Sequence, residues 1–564
     1  MSSVFILQAA QYRQSELWFN LNWKSACEKV RSLQNRIVKS VRNGEWRKAK
    51  RLCYLLTRSF AARALAVKRV TENKGKKTAG IDGILWITPG QKMRAIETIA
   101  DWKGYRPKAL KRIRIPKKSK NQTRPLSIPT MEDRARQALQ LLALQPIAET
   151  LADVNSYGFR KKRRCADAID QIFKILRQKG SSQWILEADI KGFFDNIDFD
   201  WILQHIPMNK KVLKAWLTCG FIEGGKRFPT TEGVPQGGII SPVIGNMVLD
   251  GLEAIVCGSR NYKRRNGINF VRYADDFIVT AKTKEVLEDD IIPRINAFLK
   301  VRGVQLSEQK TRVTHISHGF DFLGQTVRKY RHQDGELGKI QIEPSKQSME
   351  SIKNKVKTIC NSSGQLTQAQ LIGRLNPVLR GWANYHRHII CGKAYSQVTR
   401  YVWFRLMRWG KSRHPTKSGL WMARRYFGYA RGSTWAFKDK VTGKTLIRLN
   451  NDIQTYRHIK IKGTANPFDT QWSGYFQDRE KSIKMKSVNN YIGKVSKQQS
   501  GKCPQCQQII QAEDQHYLHH LDGDKKNRGI KNVLMLHKAC KKAFVYIRSQ
   551  HVSGASIDMG VGKA

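Results

Sequence analysis

Residues 270–279 read Phe-Val-Arg-Tyr-Ala-Asp-Asp-Phe-Ile-Val, two adjacent carboxylates between apolar, β-branched runs. This pattern predicts a hairpin with Asp275 and Asp276 at its turn. Neighbouring carboxylates repel each other, and bound divalent cations relieve the repulsion. A second, mostly apolar run from Trp184 to Ala188 ends on Asp189, so another strand would deliver a third acid. Brought together, Asp189, Asp275 and Asp276 would form an oxygen-rich site suited to Mg²⁺, which favours carboxylate and phosphate ligands. Two such ions about 4 Å apart can activate a 3′-hydroxyl and stabilise a leaving pyrophosphate during in-line displacement. The chemistry expected is nucleotidyl transfer. An isolated Asp-Asp pair is usually a plain turn, and only the flanking strands and companion acid favour catalysis.

Two other clusters have chemical potential. Cys503-Pro-Gln-Cys506 and His537-Lys-Ala-Cys540 supply ligand pairs of C-x-x-C and H-x-x-C form, the spacing of a closed tetrahedral Zn²⁺ site. The remaining cysteines (Cys27, Cys53, Cys165, Cys219, Cys257, Cys360 and Cys391) stand singly. That is the pattern of a reduced, cytoplasmic protein, in which structural zinc is favoured over a disulfide. Farther upstream, Arg400, Arg405, Arg408, Arg424 and Arg425 alternate with Tyr401, Trp403, Phe404, Trp409, Tyr426, Phe427 and Tyr429. Cations contact phosphates while rings stack on unpaired bases, a mixture suited to structured RNA. The competing reading is a helical core with a solvated basic rim.

These residues sit in a chain of 564, with 102 Lys plus Arg against 44 Asp plus Glu and a formal charge of +58. Such an excess calls for a polyanionic partner, nucleic acid first, and argues against an ordinary enzyme of small neutral substrates. At 40% hydrophobic residues the chain can build real cores. The longest apolar stretches, such as Val4 to Leu7, are far too short for a membrane span, and no secretory signal is evident. Val30, Leu33, Ile37 and Val41 recur at helical spacing within residues 23–72, predicting amphipathic helices. The expected order is an N-terminal helical, RNA-binding extension over residues 1–75 and a mixed α+β region over 76–343. A helical region over 344–455 follows, then a basic linker or DNA-binding stretch over 456–500, a Cys/His module over 501–550 and a disordered tail over 551–564.

The ordered blocks identify a resemblance. Tyr273 to Asp276, the Asp189 block and Gly233-Val-Pro-Gln-Gly-Gly-Ile-Ile-Ser-Pro242 occur in the order found in reverse transcriptases. With Gly80 to Gly83, Arg114 to Lys117, Arg124 to Pro129, Asn155 to Arg160, Leu306 to Thr311 and Phe320 to Gly324, the chain resembles group II intron-encoded proteins. Leu375 to His386 resembles their maturase-specific motif, although Leu375, Leu379, Trp382 and His386 also form one packing face of a helix.

The resemblance implies a right-hand polymerase fold: α+β fingers and palm, an all-helical thumb that carries the maturase function, and a small zinc-bearing, HNH-like tail. It implies RNA-directed DNA polymerase activity together with binding, splicing assistance and mobility of a group II intron RNA. Asp189, Asp275 and Asp276 would hold two Mg²⁺ ions, while Lys117 and Arg124 would grip the triphosphate. Phe193 would exclude a 2′-hydroxyl, although a core aromatic is an equal reading. Gln236 and its glycines would approach the template–nucleotide pair. Arg380 and the downstream arginines would meet intron RNA, and RNA template, DNA primer, target DNA and dNTPs complete the implied partners. No membrane and no particular oligomeric state is implied. The rivals are an RNA-binding splicing chaperone with a vestigial polymerase, or a reverse transcriptase serving another element.

The tail departs from the family pattern. His519, His520 and Asn532 resemble the HNH nuclease motif, but family members with an active nuclease place two histidines after the last cysteine, where this chain has Lys541 and Val545. Lysine is cationic and valine has no donor atom, so neither replaces imidazole. A zinc-stabilised module with weakened or absent nuclease activity is expected, still able to bind DNA.

Overall fold

The computed structural model describes residues 15–116, 123–333, 336–430, 433–487, 495–510, 516–524, 527, 529–541 and 543–545. Lys117 and the tail expected to be disordered lie outside the described residues. The predicted N-terminal helices are α1 (Trp23–Arg42), α2 (Trp46–Arg58) and α3 (Phe60–Glu72). Asn22 caps α1 by accepting from the Ser25 amide, and Val30, Ile37 and Val41 are buried. α4 (Pro89–Thr98) and the long α5 (Met131–Leu151) pack against them. A helix apolar on nearly all sides must be covered on nearly all sides. α5 accordingly gives Leu139 and Ala143 to the N-terminal core, and Leu141 and Leu144 to the core beneath the palm.

The fingers sheet contains β1 (Leu110–Pro116), β2 (Thr123–Ile128), β4 (Phe221–Glu223) and β5 (Lys226–Phe228), in the order β2-β1-β4-β5. The palm sheet contains β3 (Trp184–Ala188), β6 (Asn269–Tyr273), β7 (Asp276–Ala281) and β8 (Arg312–His315), in the order β6-β7-β3-β8. All its pairings are antiparallel. Successive strand residues face opposite sides, and here both sides are covered. Leu186, Phe270, Phe277 and Val279 point into a core shared with α7 (Ser241–Leu249). Ile185, Val271 and Ile278 point into another, shared with α6 (Cys165–Leu176). Burial on both faces accounts for the unbroken apolar runs.

A three-stranded sheet of β9 (Phe320–Phe322), β10 (Gln325–Arg331) and β11 (Leu337–Pro344) leads into the thumb. There α8 (Lys346–Asn361), α9 (Gln368–His386), α10 (Gly392–Arg413) and α11 (Gly419–Tyr426) share one core. Leu375, Leu379 and His386 of α9 are buried, as the one-face pattern requires. The thumb is not wholly helical, however. β12 (Phe427–Ala430) and β13 (Ser433–Phe437) form a hairpin after α11, because Phe427 and Phe437 are cross-strand partners that bury together.

The stretch expected as a linker is instead a strap laid on the palm. Asp167 of α6 is fully buried and accepts from His458 at 2.9 Å, Arg479 at 2.5 Å and the Ile461 amide at 2.7 Å. Asp469 of the strap pairs with Arg42 of α1 at 2.9 Å. The Cys/His module is also docked. Its hairpin of β14 (His516–His520) and β15 (Val533–His537) sends Val533, Met535 and Leu536 into the core that holds α1 and α3. Gln508 of the module donates to the Cys27 thiol of α1 at 2.6 Å. Among the described residues, no helix is long and apolar enough to cross a membrane.

Candidate active site and metal centre

Tyr273 pairs with Asp276, leaving Ala274 and Asp275 as a two-residue turn. Such tight turns need a positive φ, and Ala274 supplies it at +61°. On the other side of β7, Ala188 pairs antiparallel with Phe277. The residue after Ala188 therefore lies beside the residue before Phe277, which sets Asp189 next to Asp276 across one strand spacing of about 4.8 Å. The three predicted carboxylates converge at one sheet edge.

Their charges are coupled. Enclosure by the protein, then Asp275 and Asp189, pushes the Asp276 carboxyl up to about 7, with Lys310 opposing. Enclosure and Asp189 also raise Asp275, while Arg124 and Lys310 pull it down. Lys310 Nζ lies 2.7 Å from Asp189 Oδ2. Three crowded acids answered, among the described residues, by the contacting Lys310 suit hard divalent cations. Lys310 entered the sequence reading only as part of the Leu306–Thr311 block, with no site role. The Ser307 amide, three residues earlier, donates to the Asp189 carbonyl at 2.8 Å, so that block and the Asp189 strand end are one structural unit.

Arg124 Nε donates to Gln236 Oε1 at 2.7 Å, and Gln236 Nε2 reaches both Asp195 oxygens at 3.1 and 3.2 Å. Gln236 and its glycines also make a close backbone approach within the protein. The Ser127 amide of β2 donates to the Gln236 carbonyl at 2.7 Å, and a Cβ on Gly237 would sit 2.3 Å from the Ser127 carbonyl. The Phe193 ring is 4% exposed. It stands edge-on to Phe194 with centroids 5.1 Å apart, in the palm core against Gly245 of α7.

On the thumb, Arg380, Arg400, Arg408, Arg424 and Arg425 are exposed, whereas Arg405 is half-buried and bonds Asn361. Of the interleaved rings, Tyr401 and Trp403 are half-buried against the thumb core. Trp409, Tyr426 and Phe427 are buried in the thumb core, while Phe404 and Tyr429 face solvent. Trp435 of β13, which the sequence argument passed over, is exposed beside them.

The donor atoms of Cys503, Cys506, His537 and Cys540 all lie within 4.8 Å of one another. Tetrahedral zinc with bonds of about 2.0–2.3 Å needs ligands roughly 3.5 Å apart, so the donor set fits. Lys68 of α3 faces it. Burial works against the Lys68 charge, yet Glu72, Cys540 and Cys506 raise its pKa. His519 and His520 lie on β14, and Asn532 precedes β15. The Asn532 side chain accepts from the Asp522 amide at 3.1 Å, closing the hairpin loop. Lys541 sits over the Tyr517 ring at 4.2 Å and Val545 is exposed.

Three family descriptions match the chain in order. The N-terminal domain of reverse transcriptase covers residues 18–99, reverse transcriptase (RNA-dependent DNA polymerase) covers 115–327, and the group II intron maturase-specific domain covers 349–427. The chain is 28% identical over 327 residues to protein YkfC of Escherichia coli, covering 50% of this chain and 85% of YkfC. It is 28% identical over 332 residues to the group II intron-encoded protein LtrA of Lactococcus lactis, covering 47% of this chain and 55% of LtrA. Maturase-like protein 1 of Euglena gracilis is 24% identical over 384 residues, covering 66% of this chain and 78% of that protein.

Proposed function

The chain belongs to the group II intron-encoded reverse transcriptase–maturases, and on that footing we propose that it copies RNA into DNA and assists the splicing and mobility of a group II intron. The observation that carries this reading is the convergence of Asp189 with Asp275 and Asp276 at one edge of the palm sheet. Asp189, Asp275 and Asp276 would hold the Mg²⁺ ions, whose charge activates a primer 3′-hydroxyl and stabilises departing pyrophosphate. Lys310 balances the acids before the ions arrive, and its ammonium faces the site from the Leu306–Thr311 block. Arg124, held by Gln236, presents a fixed cation to an incoming triphosphate, with Lys117 as its expected companion. Phe193 lies in the palm core, only four residues after Asp189, and would restrict the sugar from there. Exposed thumb arginines, with Phe404, Tyr429 and Trp435, would take phosphates and unpaired bases of the intron RNA.

Primer extension on an RNA template with Mg²⁺ and dNTPs tests the polymerase. Wild type should synthesise DNA and Asp275→Ala should not. Absence of synthesis by wild type favours the splicing-chaperone rival. Filter binding of intron RNA across a salt series tests the maturase surface. A slope of log affinity against log salt near zero would count against it.

The Cys/His module is proposed to bind zinc and DNA without robust nicking, since Lys541 and Val545 stand where two imidazoles are needed. Metal-dependent nicking by wild type that is lost in His520→Ala would refute this. The cysteines, all unpaired, suit work in the reducing cytoplasm.

A further inference from the structure

Beneath the metal-binding hairpin lies a charge with no part in the chemistry just described. Arg272 of β6 is fully buried. An apolar residue would fill a strand core position at less cost, because a buried guanidinium loses its hydration and must be repaid by partners. Its partners are specific. Nη2 lies 2.5 Å from Asp250 Oδ1 and 3.8 Å from Asp153 Oδ2. Nη1 donates to the Ala274 carbonyl at 3.3 Å and lies 3.4 Å from Asn246 Oδ1.

Ala274 is the left-handed residue of the turn, at φ +61°, a conformation that disfavours any side chain. Gly158 also presses on it, since a Cβ there would come within 2.3 Å of the Ala274 nitrogen. Gly158 is itself held by Asn246, whose Nδ2 donates to its carbonyl at 2.8 Å. The Arg272 backbone is gripped too, its amide by the Asn155 carbonyl and its carbonyl by the Tyr157 amide, each at 2.9 Å. The strained turn is therefore held by the Arg272 side chain and pressed by a glycine, and Asn246 touches both.

We propose that Arg272, anchored by Asp250, is a positioning residue that fixes the Ala274 carbonyl and thereby the turn that aims Asp275 and Asp276. The inference rests on the polymerase reading of this hairpin for its catalytic consequence, but not for its effect on cation binding. Lysine at 272 keeps the charge, yet its single ammonium cannot span Asp250 and the Ala274 carbonyl as a planar fork does. Glycine at 274 adopts the left-handed turn without help, so it should restore what Arg272→Lys loses.

The test uses full-length protein. Mn²⁺ binding is read by electron paramagnetic resonance without nucleic acid, single-nucleotide extension gives kcat and the dNTP KM, and intron-RNA filter binding reports folding. Arg272→Lys should weaken Mn²⁺ binding at least fivefold and lower kcat at least tenfold. Its dNTP KM and RNA affinity should stay within twofold of wild type. Asp250→Asn, which keeps an acceptor but not the charge, should lose less. Adding Ala274→Gly to Arg272→Lys should recover most of the Mn²⁺ affinity. Mn²⁺ binding within twofold of wild type in both single variants would overturn the proposal. So would a loss in Arg272→Lys that Ala274→Gly does not recover. If Arg272→Lys fails to fold, Asp250→Asn decides by the same Mn²⁺ criterion. A wild type that binds Mn²⁺ but extends no primer would defeat the polymerase reading and leave this criterion standing.

Discussion

The Tyr385 hydroxyl donates to the Leu323 carbonyl at 2.8 Å, tying helix α9 of the maturase-specific domain to the turn between β9 and β10 of the polymerase. Leu323 has a φ of +51°, which costs a residue with a side chain roughly 1–2 kcal/mol. The tyrosine bond joins this turn to the thumb helix. Tyr385→Phe removes one hydrogen bond, about 1 kcal/mol. Primer–template affinity should weaken about fivefold, with the dNTP KM unchanged. Titration of a labelled primer–template checks this, and an unaltered Kd would show that the latch does not bear on duplex binding.

The carboxylate cluster makes cation binding pH-dependent. In the metal-free protein the Asp276 carboxyl is pushed up to about 7, so near neutrality it is partly protonated. A divalent ion needs the carboxylate, so binding must expel the proton. Mg²⁺ affinity should therefore fall as pH drops below about 7, by up to tenfold per unit for one proton released, and level off above about 8. Calorimetric titration at pH 6, 7 and 8, in buffers of different ionisation heat, measures both affinity and proton release. Affinity independent of pH over this range would mean that Asp276 is ionised without the metal.

The hairpin that carries Asp275 and Asp276 was legible because its determinants are local. Apolar runs, β-branched in part, announce β6, β7 and β3, and the acids stand at their ends. What supports the hairpin was not legible. Arg272 inside an apolar strand reads as a break in the pattern until Asp250 and the Ala274 carbonyl are seen around it. The strap was missed for a similar reason. Its anchors, His458 and Arg479, are single polar residues that meet Asp167 about 300 positions earlier in the chain. The thumb aromatics show the opposite limit. Composition gives Trp409 and Phe404 the same weight, but packing buries the first and exposes the second.

The grouping of Cys503, Cys506, His537 and Cys540 was readable from spacing alone, but the surface on which the four residues rest was not. Ile510, Val533, Met535 and Leu536 are buried in the same core as α1 and α3, and each such side chain contributes roughly 1.5–3 kcal/mol when fully buried. Removing the metal should therefore loosen the N-terminal helices as well as the module. Wild type should carry one zinc per chain by elemental analysis, and Cys540→Ala none. The variant should also become sensitive to limited proteolysis within residues 23–72. Protection of that segment equal to wild type would show that the helices hold without the module.

His386 gives the thumb its own pH dependence. The ring is 1% exposed, and burial pushes its pKa down to about 4. Trp382 Nε1 donates to Ser348 Oγ at 3.0 Å, and Ser348 Oγ lies 2.9 Å from His386 Nε2. Ser348 Oγ thus links the indole to the imidazole, which burial keeps neutral. In the unfolded chain the same ring titrates near about 6.5. A base whose folded pKa is depressed contributes stability that is fully present above the unfolded value and is lost as pH falls toward the folded one. Between pH 7.5 and 5 the loss should be about 2 kcal/mol. Urea unfolding followed by tryptophan fluorescence should show the thumb transition weakening over that interval. His386→Gln lowers stability at pH 7.5 but removes this part of the pH dependence. An equal decline in wild type and variant would place the titrating group elsewhere, with His388, which burial and then His458 and His386 drive down to about 3, as the next ring to replace.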